Sequence, residues 1–165
     1  MNSHDQPKLY VRDGGRRYLP ASPDQIVAAA REVVDQRIRR GSALLAPEAT
    51  QALFLEKLGG CEREIFAVAF LDTRHRLIEY REMFSGSIDG AEVHPREVVK
   101  AALLLNAAAL IVGHNHPSGI TDPSGADRAV TARLKQALAL VDVRLLDHVI
   151  VGGNSSVSMA GAGFI

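Results

Sequence analysis

Two histidines separated by one residue are the first candidates for metal chemistry in this sequence. His114 and His116 follow the apolar run Ala109-Leu110-Ile111-Val112, which has the character of a buried strand. In an extended chain, side chains two residues apart project to the same side, about 6.5–7 Å from each other. Pro117 and Gly119 then predict a turn away from the sheet edge, where a ligand could enter. Both imidazoles can therefore approach one ion.

A serine and an aspartate follow at the start of a predicted helix. Ser124 and Asp127 lie three residues apart, so their side chains share one face of the helix that we predict over residues 124–141. The same spacing is that of an ordinary N-cap with an acid at the third helical position. Both interpretations can hold, because the cap would orient the carboxylate. Two histidines, one carboxylate and a water are typical of a catalytic zinc site.

The amino-acid composition limits the kinds of metal site and binding partner that this protein can have. The single cysteine, Cys61, can form neither an internal disulfide nor a cysteine-rich zinc site. Nineteen basic and nineteen acidic side chains balance to a net charge of zero, which removes the general attraction for nucleic acid. The sequence has neither a long apolar run nor a signal-like start, so we expect a soluble cytoplasmic protein and no membrane partner.

The predicted elements alternate between helices and strands. Helices are predicted from Ser22-Pro23-Asp24 to about Arg40, from Pro47 to Gly59-Gly60, from Pro95, and over 124–141. Strands are predicted at 65–71, 77–84, 109–112 and 143–151, and a final strand or turn at 156–164. This order predicts an α/β fold with a central mixed β-sheet flanked by helices. We expect residues 1–20 to be a flexible N-terminal arm with one short strand near Leu9-Tyr10-Val11. Residues 21–165 are expected to form a single domain with an N-terminal helical extension and a core at about 60–165.

The potential ligands also carry a family resemblance. The string His114-Asn115-His116-Pro117, with Ser124-x-x-Asp127 after six intervening residues, resembles the JAMM metalloprotease signature of the MPN/JAB domain. The string His-Asn-His-Pro-Ser-Gly resembles the RadC form of this signature. Further RadC-like segments extend the resemblance over about residues 60–165: Val93-His94-Pro95-Arg96-Glu97, Ala107-Ala108-Ala109 and Asp147-His148. The resemblance implies a JAB/MPN fold with cytidine-deaminase-like layers.

The resemblance also implies roles for individual residues. Zinc would be held by His114, His116 and Asp127. A general base would lie in Glu64-Ile65-Phe66, with Glu64 favoured over Glu62, and Ser124 would donate a hydrogen bond to the oxyanion. The implied reaction is hydrolysis of a peptide or protein amide, or of an isopeptide bond, by a metallopeptidase whose substrate the sequence does not identify.

Several alternatives stay open. RadC proteins usually carry an N-terminal helix-hairpin-helix region, which the first 60 residues do not resemble, so the chain looks like a short form. The main alternative is a non-catalytic accessory protein of DNA repair or recombination, whose metal site is structural or vestigial and whose basic patch is Arg37, Arg39 and Arg40. A deaminase-like hydrolase ranks last, because its Pro-Cys-x-x-Cys ligands are absent.

Three further expectations concern residues outside the signature and the oligomeric state. His94 and His148 are expected to be structural, or to contact the metal ligands without binding the metal themselves. Asp147 could orient a ligand imidazole. An exposed edge strand would allow a homodimer.

Overall fold

The computed structural model describes residues 9–12, 14–15, 17–37, 44, 46–86 and 92–165. The chain forms two compact units, residues 1–37 and 38–165. Arg39 and Arg40, which belong to the basic patch of the DNA-binding alternative, lie outside the described residues.

The first unit contains a hairpin and a helix. Strands β1 (Tyr10–Arg12) and β2 (Tyr18–Pro20) pair antiparallel, where the sequence had indicated one short strand. Helix α1 (Pro23–Arg37) follows. Its predicted N-cap is confirmed, because Ser22 Oγ accepts from the backbone N–H of Gln25 while Gln25 Oε1 accepts from that of Ser22. The division of the chain into an arm and a domain stays a prediction.

The second unit is built on a five-stranded sheet in the order β4-β3-β5-β6-β7. Strands β5 and β6 are parallel and the other pairs are antiparallel, so the predicted mixed sheet and α/β class are confirmed. The elements are α2 (Pro47–Leu58), β3 (Ile65–Leu71), β4 (Leu77–Ser85), α3 (Pro95–Leu104), β5 (Ala109–Asn115), α4 (Gly125–Ala139), β6 (Arg144–Gly152) and β7 (Ser155–Ser158). The final segment, predicted as a strand or turn, contains both, because β7 ends at Ser158 and turns follow it.

Helices cover both faces of this sheet. Helices α3 and α4 pack on one face, against alternate side chains of β3 such as Phe66, Val68 and Phe70. Helix α2 packs on the other face through Phe54 and its neighbours, against a set that includes Ala67 and Ala69. This alternation is that of strands buried on both sides. Gly113 belongs to the α2 face, where a Cβ atom would lie 2.4 Å from the Phe54 ring.

The alternation of β5 places His114 on the face of α3 and α4. Leu110 and Val112 pack in the core on that side, so His114, two residues further, projects the same way. Asp127 lies in the first turn of α4, which covers this face. The end of the strand and the beginning of the helix thereby bring the two potential ligands together.

A bulge in β6 changes which of its residues face α4. Leu110 pairs with Leu145, but Ile111 pairs with Asp147, so one extra residue lies in β6 between these two pairs. The bulge reverses the alternation, and His148, the partner of Val112, projects toward α4.

No helix in the described part of the chain combines the length and apolar character needed to cross a bilayer.

Candidate metal centre

Three potential ligands converge where β5 ends and α4 begins. His114 Nε2 lies 2.8 Å from His116 Nε2 and 3.1 Å from Asp127 Oδ1, and His116 Nε2 lies 3.5 Å from Asp127 Oδ2. One ligand atom from each residue can be chosen so that all lie within 4.8 Å of one another. His114 and Asp127 are buried and His116 is half-buried. This group could hold a metal ion.

The loop after β5 fixes the His116 ring. The backbone N–H of His116 donates to Val151 O, and His116 Nδ1 lies 2.6 Å from the carbonyl oxygen of Ile120. The loop can fold back because Gly119 adopts a φ of +81°, which other residues rarely adopt. It also approaches Gly152 so closely that a Cβ atom there would lie 2.5 Å from Gly119 O.

A capping box fixes Asp127. Its Oδ2 accepts from the backbone N–H of Ser124 at 2.7 Å, and Ser124 Oγ accepts from the backbone N–H of Asp127 at 3.1 Å. Burial acts to raise the pKa of Asp127, but the adjacent His114 imidazole and the hydrogen bond from Ser124 outweigh it and hold the pKa well below its usual range. The carboxylate is therefore ionised near neutral pH, as a ligand must be.

Buried side chains surround His114 on the side away from the other two ligands. Its Nδ1 lies 2.8 Å from His148 Nε2, and His148 Nδ1 lies 2.6 Å from Thr131 Oγ1. The ring of Phe66 stacks on His114 with 6.3 Å between the ring centroids, and it meets His148 edge-on with 5.6 Å between the centroids. Burial, and then the nearby His114, lowers the pKa of His148 to about 3, so its ring is neutral near neutral pH.

The hydrogen-bonding capacity of these groups suits a cation. His116 Nδ1 faces a carbonyl oxygen, which only accepts, so this nitrogen carries the hydrogen of the neutral ring. The lone pair of His116 Nε2 is then directed at the same point as His114 Nε2 and the carboxylate of Asp127. Imidazole and carboxylate are the ligand types of zinc and of other borderline divalent metals.

These ligands lie on the wall of a cavity of about 490 Å³. This volume lies within the range of small-molecule pockets. The cavity is lined by charged, polar and apolar side chains: Glu64, Phe66, Glu92, Val93, His94, His114, His116, Ser124, Ala126, Asp127, Ala129, Val130 and Arg133.

Of the two candidate general bases, Glu64 lines this cavity and is half-buried, whereas Glu62 is exposed. The chain bends at residues 62–63, so the alternation of β3 does not extend back to Glu62. Asn115 holds the backbone beside Glu64: its Oδ1 accepts from the N–H of Ile65, and its Nδ2 donates to the carbonyl of Arg63. The residue between the two histidines thus positions the segment that carries Glu64.

Ser124 lines the cavity while acting as the N-cap of α4. Its oxygen accepts the backbone N–H of Asp127, which leaves the hydroxyl hydrogen for donation toward the cavity.

Asp147 does not orient a ligand imidazole, and that expectation is wrong. Its Oδ1 accepts from the N–H groups of His148 and Ala160, and its Oδ2 accepts from the hydroxyl of Ser158 at 2.6 Å. Because the bulge in β6 reverses the alternation, the side chain of His148 takes the place beside His114 instead. His94 lines the cavity and contacts Phe84 edge-on at 6.0 Å.

Sequence reasoning missed Asn115 and Thr131. Thr131 lies four residues after Asp127, a spacing that puts both on one face of α4 and could have indicated it. Asn115 carried no comparable signal, because its partners lie fifty or more residues earlier in the sequence.

A family model described as the RadC-like JAB domain matches residues 44–164. A UPF0758 protein from Vibrio cholerae serotype O1 is 54% identical over 152 residues, which span 90% of this chain and 96% of that protein. A UPF0758 protein from Xanthomonas campestris pv. campestris is 51% identical over 150 residues, 88% of this chain and 66% of its own length. One from Marinobacter nauticus is 52% identical over 136 residues, 82% of this chain and 61% of its own length. The chain thus spans under two thirds of the last two relatives, and the names of all three state no activity.

Proposed function

The chain belongs to the family of RadC-like JAB domains, and on that premise we propose that it is a zinc-dependent hydrolase of amide or isopeptide bonds. The observation that carries the proposal is the convergence of His114, His116 and Asp127 on a cavity that Glu64 and Ser124 also line. A metal-assisted hydrolysis needs metal ligands, a carboxylate outside the ligand set and a hydroxyl donor.

Zinc is the proposed ion because two imidazoles and one carboxylate leave an open position in a tetrahedral site. The chemistry that zinc supplies when bound is Lewis acidity, which polarises a carbonyl oxygen and makes a water molecule more acidic. The ionised Asp127 and the two neutral rings would add one negative charge to the ligand set, so the bound ion would keep a net positive charge.

Glu64 is proposed to move the proton. Its carboxylate takes a proton from the attacking water as that water adds to the carbonyl carbon, and the same carboxyl then delivers the proton to the nitrogen of the leaving amine. Asn115 supports this role by fixing the backbone on both sides of Glu64. The Ser124 hydroxyl donates to the oxygen of the substrate carbonyl as negative charge develops there.

The proposed substrate is a peptide or a protein amide bond. A cavity of about 490 Å³ has room for a few side chains or a short extended segment, and its lining combines the carboxylates of Glu64 and Glu92 with the guanidinium of Arg133. The apolar residues Val93 and Val130 supply surface on which the backbone of such a segment could lie.

A cleavage screen tests this function. The full chain, purified without chelator and loaded with zinc, is incubated with a peptide library and with isopeptide-linked substrates, and products are identified by mass spectrometry. We expect cleavage that a chelator abolishes and added zinc restores. Zinc-loaded protein that cleaves neither class of bond would contradict the proposed activity.

A further inference from the structure

Three short contacts connect the first ligand to the backbone of the third. His114 Nδ1 lies 2.8 Å from His148 Nε2, and His148 Nδ1 lies 2.6 Å from Thr131 Oγ1. The hydrogen-bond chain formed by these contacts ends at Asp127, whose carbonyl oxygen lies 2.5 Å from Thr131 Oγ1. His148 is 0% exposed and Thr131 2%, so bulk water does not compete for these contacts.

The carbonyl oxygen of Asp127, at the end of this hydrogen-bond chain, determines where each hydrogen lies. It only accepts, so Thr131 uses its single hydroxyl hydrogen to donate to it. The oxygen of Thr131 then accepts from His148 Nδ1–H. In a neutral ring, His148 Nε2 is therefore without hydrogen and accepts from His114 Nδ1–H. The lone pair of His114 is left on Nε2, the atom that faces His116 and Asp127.

The opposite direction fails at its first step. If Thr131 donated to His148, its oxygen and that of the Asp127 carbonyl would face each other at 2.5 Å with no hydrogen between them. His148 would then donate to His114 Nδ1, and the hydrogen of the neutral His114 ring would occupy Nε2, where it blocks a metal. Only the first direction therefore gives each of the three contacts between His114 and the Asp127 carbonyl a hydrogen, and it also leaves His114 Nε2 open to a metal.

We propose that Thr131 and His148 are positioning residues that hold His114 in the tautomer whose Nε2 lone pair is available to the metal. The identity of the ion rests on the proposed function, but the direction of the hydrogen bonds does not. The hydrogen-bond chain begins on β5 and ends at the first turn of α4. It therefore also links the two elements that carry His114 and Asp127. Such partners of a metal-binding histidine typically contribute about 10–100-fold to metal affinity.

The first test needs no variant and no metal. Long-range ¹H–¹⁵N correlation spectra of the metal-free full chain report which nitrogen of each histidine carries hydrogen. We expect hydrogen on Nδ1 and none on Nε2 for His148, and hydrogen on Nδ1 of His114. Hydrogen on Nε2 of His148 would overturn the proposal, whether or not the protein binds zinc.

The second test compares Thr131→Val with Thr131→Ser by competition for zinc against a chromophoric chelator. Valine keeps the volume but removes the hydroxyl, and we expect zinc affinity to fall by about 10–100-fold. Serine removes a buried methyl but keeps the hydroxyl, so its affinity should stay close to that of the parent. A role in packing alone predicts the reverse order, and that result, or an unchanged affinity for Thr131→Val, would overturn the proposal.

The two tests separate this inference from the proposed function. A parent chain that binds no zinc would end the metal proposal, while the tautomer measurement would still decide how His114 is held. If Thr131→Val does not fold, as judged by its thermal melt, the spectra of the parent decide alone.

Discussion

Replacing Glu64 with glutamine is expected to lower amide hydrolysis by about 10²–10⁴-fold, the usual contribution of general acid–base catalysis. Glutamine keeps the size of the side chain but removes the basic oxygen. Because Glu64 lies on the cavity wall outside the ligand group, zinc content and thermal stability should stay at the parent values. The measurements are the rate on a substrate found in the cleavage screen, the zinc content and a thermal melt.

Glu62→Gln is the matched control for this change. Glu62 is exposed and lies in the bend at residues 62–63, so the variant should hydrolyse at the parent rate. If Glu62→Gln is the damaging change, the general base is Glu62. If a substrate is cleaved and neither change slows its turnover, the proposed mechanism does not apply, and a structural metal in a binding module becomes the better explanation.

Replacing Asp127 with alanine is expected to weaken zinc binding by more than about 100-fold. Losing a metal ligand should reduce zinc affinity more than losing a residue that only contacts a ligand. The same change removes the acceptor of the Ser124 N–H in the capping box. We therefore also expect the metal-free protein to lose about 1 kcal/mol of unfolding free energy. Chelator competition and denaturant unfolding measure the two effects separately.

Asp127→Asn distinguishes the two roles of this side chain. Its amide oxygen can still accept the Ser124 N–H, so most of the stability should return, while the lost negative charge should keep zinc affinity low. Zinc binding as tight as in the parent, in either variant, would rule out Asp127 as the third ligand.

Much of the fold could be predicted from periodicity and end signals. Ser22-Pro23, Pro47 and Pro95 indicated where helices begin, and the apolar run at residues 65–71 indicated a strand. These signals are local, because they depend on backbone dihedrals and on which face is buried. The hairpin of β1 and β2 was missed in part, since strands of three residues are too short to establish a period.

The convergence of the potential metal ligands could be predicted, because each spacing depends on one element. His114 and His116 share a side through the strand period, and Ser124 and Asp127 share one through the helix period. The partners of these residues depend on register between elements instead. A single bulge in β6 decides that His148 rather than Asp147 reaches His114, and nothing in the sequence Leu145-Leu146-Asp147-His148 indicates where that bulge lies.

The identity and position of the metal test the central claim most directly. Crystals of the full chain grown with zinc, measured at the zinc absorption edge, would locate the ion by its anomalous scattering. We expect one zinc at about 2.0–2.2 Å from His114 Nε2, His116 Nε2 and a carboxylate oxygen of Asp127. A well-ordered structure in which this site holds no ion, or in which zinc is held by other residues, would contradict the account.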